Sequence, residues 1–113
     1  DVHGSGNNMK HGQRNAGSVG HDLTTYIYGN NNNIFTRQNG SGAKDMTIQL
    51  SGNNHSVSMI QDGQGAHNAS VNLSAGAGAY SLSLTQSSDS TQNYSLTGTC
   101  QDSNGCGVTV TQN

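Results

Sequence analysis

Residues 45–65 alternate between apolar and polar positions on both sides of a short polar turn. Met46, Ile48 and Leu50 alternate with threonine, glutamine and serine, and the alternation resumes at Val57 after Gly-Asn-Asn. Period-two patterning predicts β-strands with one buried face, and glycine and asparagine accept the backbone angles of a tight turn. The stretch therefore predicts a strand-turn-strand unit, which is too small to bury its apolar face alone.

The same pattern recurs along the chain with a period of about 23 residues. One shift by this period superposes Gly52 on Gly29 and Gln61 on Gln38, and a second shift carries Gly52 onto Gly6. Repeats of this length are typical of solenoids, in which each unit covers the apolar face of its neighbour. The predicted units are residues 1–21, 22–44, 45–67, 68–92 and 93–113.

Superposed repeats place similar residues in columns. In the first strand the predicted core column contains Val2, Thr25, Ile48, Val71 and Leu96. In the second strand one column contains Ile34, Val57, Leu82 and Val108, and the next contains Thr36, Met59, Leu84 and Val110. The columns predict an all-β fold, a β-solenoid of about five stacked rungs in which two strands face each other across a thin core.

A column of glutamines follows these core positions. It contains Gln38, Gln61, Gln86 and Gln112. Rungs stack about 4.8 Å apart, a spacing at which each side-chain amide can donate to one neighbour and accept from the other. Such a ladder would fix the register, because a slipped rung leaves amides unpaired and turns the apolar residues outward. Gly29 and Gly52 are predicted to begin the turns between the two strands.

Composition alone would also fit a disordered linker. Hydrophobic residues make up 29% of the chain, with sixteen glycines and no proline. Disordered chains, however, usually carry a high net charge, whereas here the formal net charge is −2. The regular columns decide for an ordered repeat. Residues 1–21 fit the period but not the core pattern, so both a degenerate first rung and a Gly/Asn-rich leader remain open, with the rung favoured.

The two cysteines predict a disulfide. Cys100 and Cys106 enclose a short polar turn, and no second Cys/His pair completes a metal site. The bridge would brace a final rung whose first strand is weakened by Gly98. A disulfide is typical of exported proteins, and the start at Asp1 without methionine predicts a mature form from which a signal peptide was removed. No apolar run reaches the roughly 18 residues of a membrane span.

Other functional chemistry has little support in the sequence. The five histidines are scattered, and only His21 and His67 share a repeat position, with Lys44 between them, so we expect solvated turn residues. Four lysines and arginines give no electrostatic basis for binding nucleic acid. No catalytic triad, carboxylate pair or GxxxxGK[ST] motif is present. We expect no enzyme, and no catalytic, cofactor or metal site.

Residues 22–113 resemble curlin, the repeat subunit of bacterial curli fibres. The resemblance rests on the alternating strands, on turns containing Gly29, Asn32 and Gly52, and on the closing glutamine column. The chain departs from the curlin pattern at the end of the first strand, where curlin has a further glutamine. Those positions are Ile27, Leu50, Leu73 and Gly98. The resemblance therefore indicates a divergent member with a more apolar core.

The resemblance implies a secreted structural subunit that polymerises end to end into an extracellular cross-β fibre for biofilm matrix and surface adhesion. Implied partners are further copies of the chain, an outer-membrane export machinery and a nucleator. The alternative is a monomeric secreted β-solenoid, such as an adhesin or an ice-binding module. Monomeric solenoids cap their end rungs, whereas residues 108–113 continue the core pattern uncapped, and only Thr109 and Thr111 offer a Thr-x-Thr pair. The fibre is favoured.

Overall fold

A computed structural model describes all of residues 1–113 and contains ten β-strands and no helix. The strands are β1 (Val2–His3), β2 (Asn8–Asn15), β3 (His21–Tyr28), β4 (Asn33–Gly40), β5 (Lys44–Ser51), β6 (Ser56–Asp62), β7 (His67–Ala75), β8 (Tyr80–Ser87), β9 (Gln92–Cys100) and β10 (Cys106–Gln112). The odd-numbered strands form one five-stranded sheet, sheet A, and the even-numbered strands form another, sheet B. The predicted all-β β-solenoid is confirmed. Without a helix, the chain has no helical segment long and apolar enough to cross a membrane.

All neighbouring strands are parallel, and each residue pairs with its equivalent in the next repeat. Thr25 pairs with Ile48, which lies 23 residues later, and Val71 pairs with Leu96, which lies 25 residues later. The repeat is therefore longer towards the end of the chain than the predicted period. The additional residues lie in the turns, so the columns stay continuous.

The core lies between the two sheets and is one cluster of fourteen buried hydrophobic residues. Strand β5 has the clearest pattern, because its residues alternate strictly between buried and exposed. Of the predicted core columns, seven members are buried: Ile48, Val71, Ile34, Val57, Leu82, Met59 and Leu84. Each fully buried aliphatic side chain stabilises the fold by about 1.5–3 kcal/mol. Leu96, Val108 and Val110 are half-buried because no rung covers the last one.

The predicted alignment of the first repeat is wrong by two residues. Val2 pairs with Ile27 and does not stack on Thr25, and Gln13 pairs with Gln38. The physical reason is the turn at residues 16–20, which has two residues more than the turn at residues 41–43. Residues 1–21 contribute β1 and β2, which pair with β3 and β4.

Two glycines bring the turns of successive rungs into close approach. Gly29 and Gly52 directly follow β3 and β5, with φ values of +146° and +116°. A Cβ atom on Gly29 would lie 1.9 Å from the carbonyl oxygen of Gly52. Glycine is therefore required at position 29 both by the backbone conformation and by the stacking distance.

Candidate functional site: polar ladders and end rungs

The glutamine column forms a continuous hydrogen-bonded ladder along the inner face of sheet B. Gln38 donates from Nε2 to Oε1 of Gln61 at 3.1 Å, Gln61 donates to Gln86 at 2.9 Å, and Gln86 donates to Gln112 at 2.8 Å. Gln13 extends the ladder to the first rung, because its Nε2 donates to Oε1 of Gln38 at 2.7 Å. The ladder thus has one member per rung, all donating in the same direction.

Sequence reasoning missed Gln13 because it assumed a constant period. A shift of 25 residues between the first two repeats, in place of 23, superposes Gln13 on Gln38. The signal was present in the sequence, since Gln13 is the single glutamine of the first repeat. An alignment that allows a gap in the turn would have found it.

The ladder also joins the two sheets. The second amide proton of each glutamine points to a backbone carbonyl at the start of a strand in sheet A. Gln61 donates to the Asp45 carbonyl at 3.1 Å, and Gln112 donates to the Asn93 carbonyl at 3.2 Å. Because both amide protons have acceptors, these buried amides are satisfied, and they fix the register of each rung in both sheets.

An asparagine network occupies the opposite edge of the core, where the odd strands turn into the even strands. Asn32 is fully buried. Its side-chain nitrogen donates to the Gly52 carbonyl at 3.0 Å, and its Oδ1 accepts the backbone N–H of His55 at 2.8 Å. On the outer side of the turn, Oδ1 of Asn53 accepts the backbone N–H of Asn30 at 2.7 Å. Asparagine therefore satisfies turn backbone groups that the sheets leave unpaired.

Lys44 is a buried cation at the start of β5. Its side chain has no exposed surface, and Nζ donates to the carbonyl oxygens of Gly42 at 3.0 Å and Gly65 at 2.6 Å. Burial lowers the pKa of Lys44, and the Asp62 carboxylate opposes this shift. The two carbonyl acceptors explain how a lysine is accommodated in this corner, because an unpaired buried charge would be strongly destabilising.

The expectation that the histidines are solvated is wrong for two of them. His55 and His67 are buried, with 1% and 2% of their surface exposed. The ring of His55 accepts the backbone N–H of Tyr80 on Nδ1 at 3.0 Å, and the ring of His67 lies 2.7 Å from the Asp62 carbonyl through Nε2. Both rings fill corners of the core, where they bond to the backbone of neighbouring rungs.

Burial lowers the pKa of His67, whereas its hydrogen bond to the Asp62 carbonyl acts in the opposite direction. The positive charge of Lys44, its neighbour in the same column, lowers the pKa further. The folded subunit therefore keeps His67 neutral at pH values where the unfolded chain gains a proton.

We expect the free energy of unfolding to decrease as the pH falls below 6.5, the ordinary pKa of histidine. The reason is that a proton binds the unfolded chain before it binds the folded one, so acid favours unfolding. Denaturant titrations at about pH 7.5 and about pH 5.5 measure the change. The His67→Gln variant is the control, because Gln92 occupies the same column in β9. It should show a smaller pH dependence, and an unchanged pH dependence would contradict this assignment.

The predicted disulfide is confirmed. Cys100 ends β9 and is fully buried, Cys106 begins β10, and their Cα atoms are 5.7 Å apart. The bridge closes the loop between the last two strands and packs against the core beside Tyr80, which pairs with Cys106. It therefore links the two sheets at the final rung.

The two end rungs leave strand edges uncovered. Sheet B begins at β2 and ends at β10, and sheet A begins at β1 and ends at β9. At the last rung, the inward side chains of β10 are half-buried against the rung below, and their other side is open. At the first rung, Met9 remains 39% exposed. Unpaired strand edges of this kind are templates for pairing with another chain.

The chain contains no group of three or more His, Cys, Asp or Glu side chains placed to hold a metal ion. No family model matches the chain, and no curated protein or solved structure matches it either. The strongest candidates for a functional surface are therefore the uncovered ends of the solenoid.

Proposed function

We propose that the chain is a structural subunit that polymerises end to end into an extracellular, curli-like cross-β fibre. The observation that carries the proposal is the match between the two uncovered edges of sheet B. The inward positions of β10 are Val108, Val110 and Gln112, and the corresponding positions of β2 are Met9, His11 and Gln13. A second copy placed on the last rung would continue each column, with Gln112 next to Gln13.

The direction of the glutamine ladder supports head-to-tail addition. At the last rung, Nε2 of Gln112 donates to the Asn93 carbonyl and has a second proton to give. At the first rung, Oε1 of Gln13 has no donor, since this side chain only donates, to Gln38 and, at 3.4 Å, to the carbonyl of His21. The free donor of one end therefore fits the free acceptor of the other end. Two identical ends would lack this match.

The absence of the usual strand-edge protection also supports assembly. The chain has no proline, and the inward side of β10 carries no charge. Natural solenoids that remain monomeric block their ends with such features. The extracellular location, the role in biofilm matrix and adhesion, and the partnership with an export machinery and a nucleator belong to the same proposal. These parts depend on the resemblance to curlin.

Incubation of the purified chain at neutral pH tests the proposal. We expect unbranched filaments in negative stain and a meridional reflection near about 4.8 Å, the spacing of strands along the fibre. Each subunit should advance the fibre by five rungs, or about 24 Å. A protein that stays monomeric for days at high concentration would overturn the proposal.

A charge placed inside the last rung tests the direction of growth. We expect Val108→Lys with Val110→Lys to block addition to β10, because two buried ammonium groups would face the next subunit. The matched control is Thr109→Lys with Thr111→Lys, which puts the same charges on the exposed face of the same strand. At a low molar ratio, the first variant should stop wild-type filaments at one end. Equal effects of the two variants would contradict end-to-end addition through β10.

A further inference from the structure

The outer faces of the solenoid carry charge only in part of their length. On sheet B, the last two strands present mainly serine and threonine outward, with Ser81, Ser83 and Thr109 as examples. On sheet A, the outward positions of β7 and β9 are serine, threonine and asparagine. Large and charged outward side chains are concentrated in the first three rungs, and the two faces differ in the sign of that charge.

The outer face of sheet B is basic at the first rung. Lys10 and Arg14 are exposed, lie four residues apart on β2, and make no side-chain hydrogen bond or ion pair. Between them Gly12 leaves an open groove, which Arg14 and Arg37 help to line. Arg37 is already paired with Asp62 on the same face. We name Lys10 and Arg14, the two unpaired cations, the basic band.

The outer face of sheet A is acidic at the second and third rungs. Asp22 and Asp45 are exposed and adjacent in register, and neither carboxylate has an ion-pair partner. Tyr26 lies four residues after Asp22 on β3 and is 41% exposed. We name Asp22, Asp45 and Tyr26 the acidic band. Two adjacent unpaired carboxylates repel each other until a cation is placed beside them.

We propose that the two bands bind each other between neighbouring filaments, so that the basic band of one filament packs on the acidic band of another. The inference rests on the proposed polymerisation and names the lateral contact of that polymer. Strand β2 ends at the edge of the solenoid where β3 begins, so Arg14 and Asp22 lie on the same side of the subunit. Two filaments of the same orientation, with sheet B of one against sheet A of the other, therefore bring these side chains together.

The spacing of the bands supports this pairing. Lys10 and Arg14 are separated by four residues, as are Tyr26 and Asp22, which corresponds to about 13 Å along a strand. When Arg14 reaches Asp22, Lys10 lies opposite Tyr26. The first contact is a charge-assisted pair with a carboxylate, and the second places an ammonium on an aromatic ring.

Polymerisation would multiply these weak contacts. A single exposed ion pair contributes little, but the bands recur with every subunit, about every 24 Å along the fibre. Linked contacts of this kind raise the overall affinity by roughly 10²–10⁴ without any new interaction. Bundling of filaments would therefore depend strongly on the bands and on salt, whereas growth of a single filament would not.

Charge reversal with mixing tests the inference. One variant carries Lys10→Glu and Arg14→Glu, and the other carries Asp22→Lys and Asp45→Lys. Each variant alone should form single filaments, with the fraction in bundles reduced roughly tenfold or more because avidity is lost as a whole. Preformed filaments of the two variants, when mixed, should bundle with each other. Failure to bundle on mixing would overturn the inference, as would bundling of each variant alone.

A matched control separates the bands from net charge. Lys10→Gln with Arg14→Gln lowers the net charge by two, and so does Ser81→Asp with Thr85→Asp, at the same spacing on the same face of β8. The first variant should lose bundling and the second should keep it, and an equal loss would overturn the inference. Wild-type filaments that remain single at low salt would overturn the lateral contact only. A wild type without filaments would overturn the proposed function together with it.

Discussion

Gln61→Leu should destabilise the folded subunit by about 1–3 kcal/mol, the cost of one buried polar group left without a partner. The group concerned is Oε1 of Gln86, which accepts its hydrogen bond from Gln61 and is fully buried. The amide of Gln38 is less affected, because it also donates to the carbonyls of Asp22 and Lys44, both at 2.9 Å. The loss therefore falls on one side of the substituted rung.

The matched control is Gln49→Leu, on the exposed face of β5. Denaturant unfolding of the soluble subunit measures stability, and the lag time of fibre growth measures nucleation. We expect a large shift of the unfolding midpoint and a longer lag for Gln61→Leu, with little change for Gln49→Leu. Equal effects of the two substitutions would show that burial in the ladder is not the cause.

The strands and their pairing could be predicted because period-two patterning depends on local sequence alone. Residues 45–65 contain two complete strands with a turn, and the structure keeps them as β5 and β6. The predicted columns hold for the same reason wherever the repeats have equal length. In the first repeat the column failed at Val2, since a change of two residues in a turn moves a strand without altering its pattern.

The buried polar corners could not be predicted from the pattern. Lys44 and His67 are buried because carbonyl groups of neighbouring turns, at Gly65 and Asp62, are placed to accept or approach them. These contacts join residues in different turns or rungs, and a hydrophobic pattern contains no information about the direction of a turn carbonyl. The sequence showed only that His21, Lys44 and His67 share a column.

Gly98 illustrates how a departure from a column can have a structural cause. The sequence predicts that it weakens the last rung, because the preceding members of the column are aliphatic. In the structure, a Cβ atom at this position would lie 2.4 Å from the hydroxyl oxygen of Tyr80. Tyr80 is 8% exposed and belongs to the core. Its side chain therefore takes the space that a larger residue at position 98 would need.

Removal of the disulfide should destabilise the subunit by about 2 kcal/mol, because a closed loop of this length restricts the unfolded chain. The cysteines are six positions apart, and they join β9 to β10 across the corner of the last rung. In the proposed fibre this rung is the template for the next subunit. We therefore expect loss of the bridge to slow elongation from β10 as well as to lower the resistance to denaturant.

Seeded growth of the Cys100→Ser, Cys106→Ser double variant tests both effects. Reduced wild-type protein is the control, since it loses the covalent link but keeps both sulfur atoms in place, and Cys100 is fully buried. Both should grow more slowly than the oxidised wild type, and a slower rate for the variant alone would identify sulfur packing as the cause. Free-thiol counts on assembled wild type should be zero. Unchanged growth and unchanged denaturant resistance in both samples would mean that the bridge does not hold the last rung in its templating geometry.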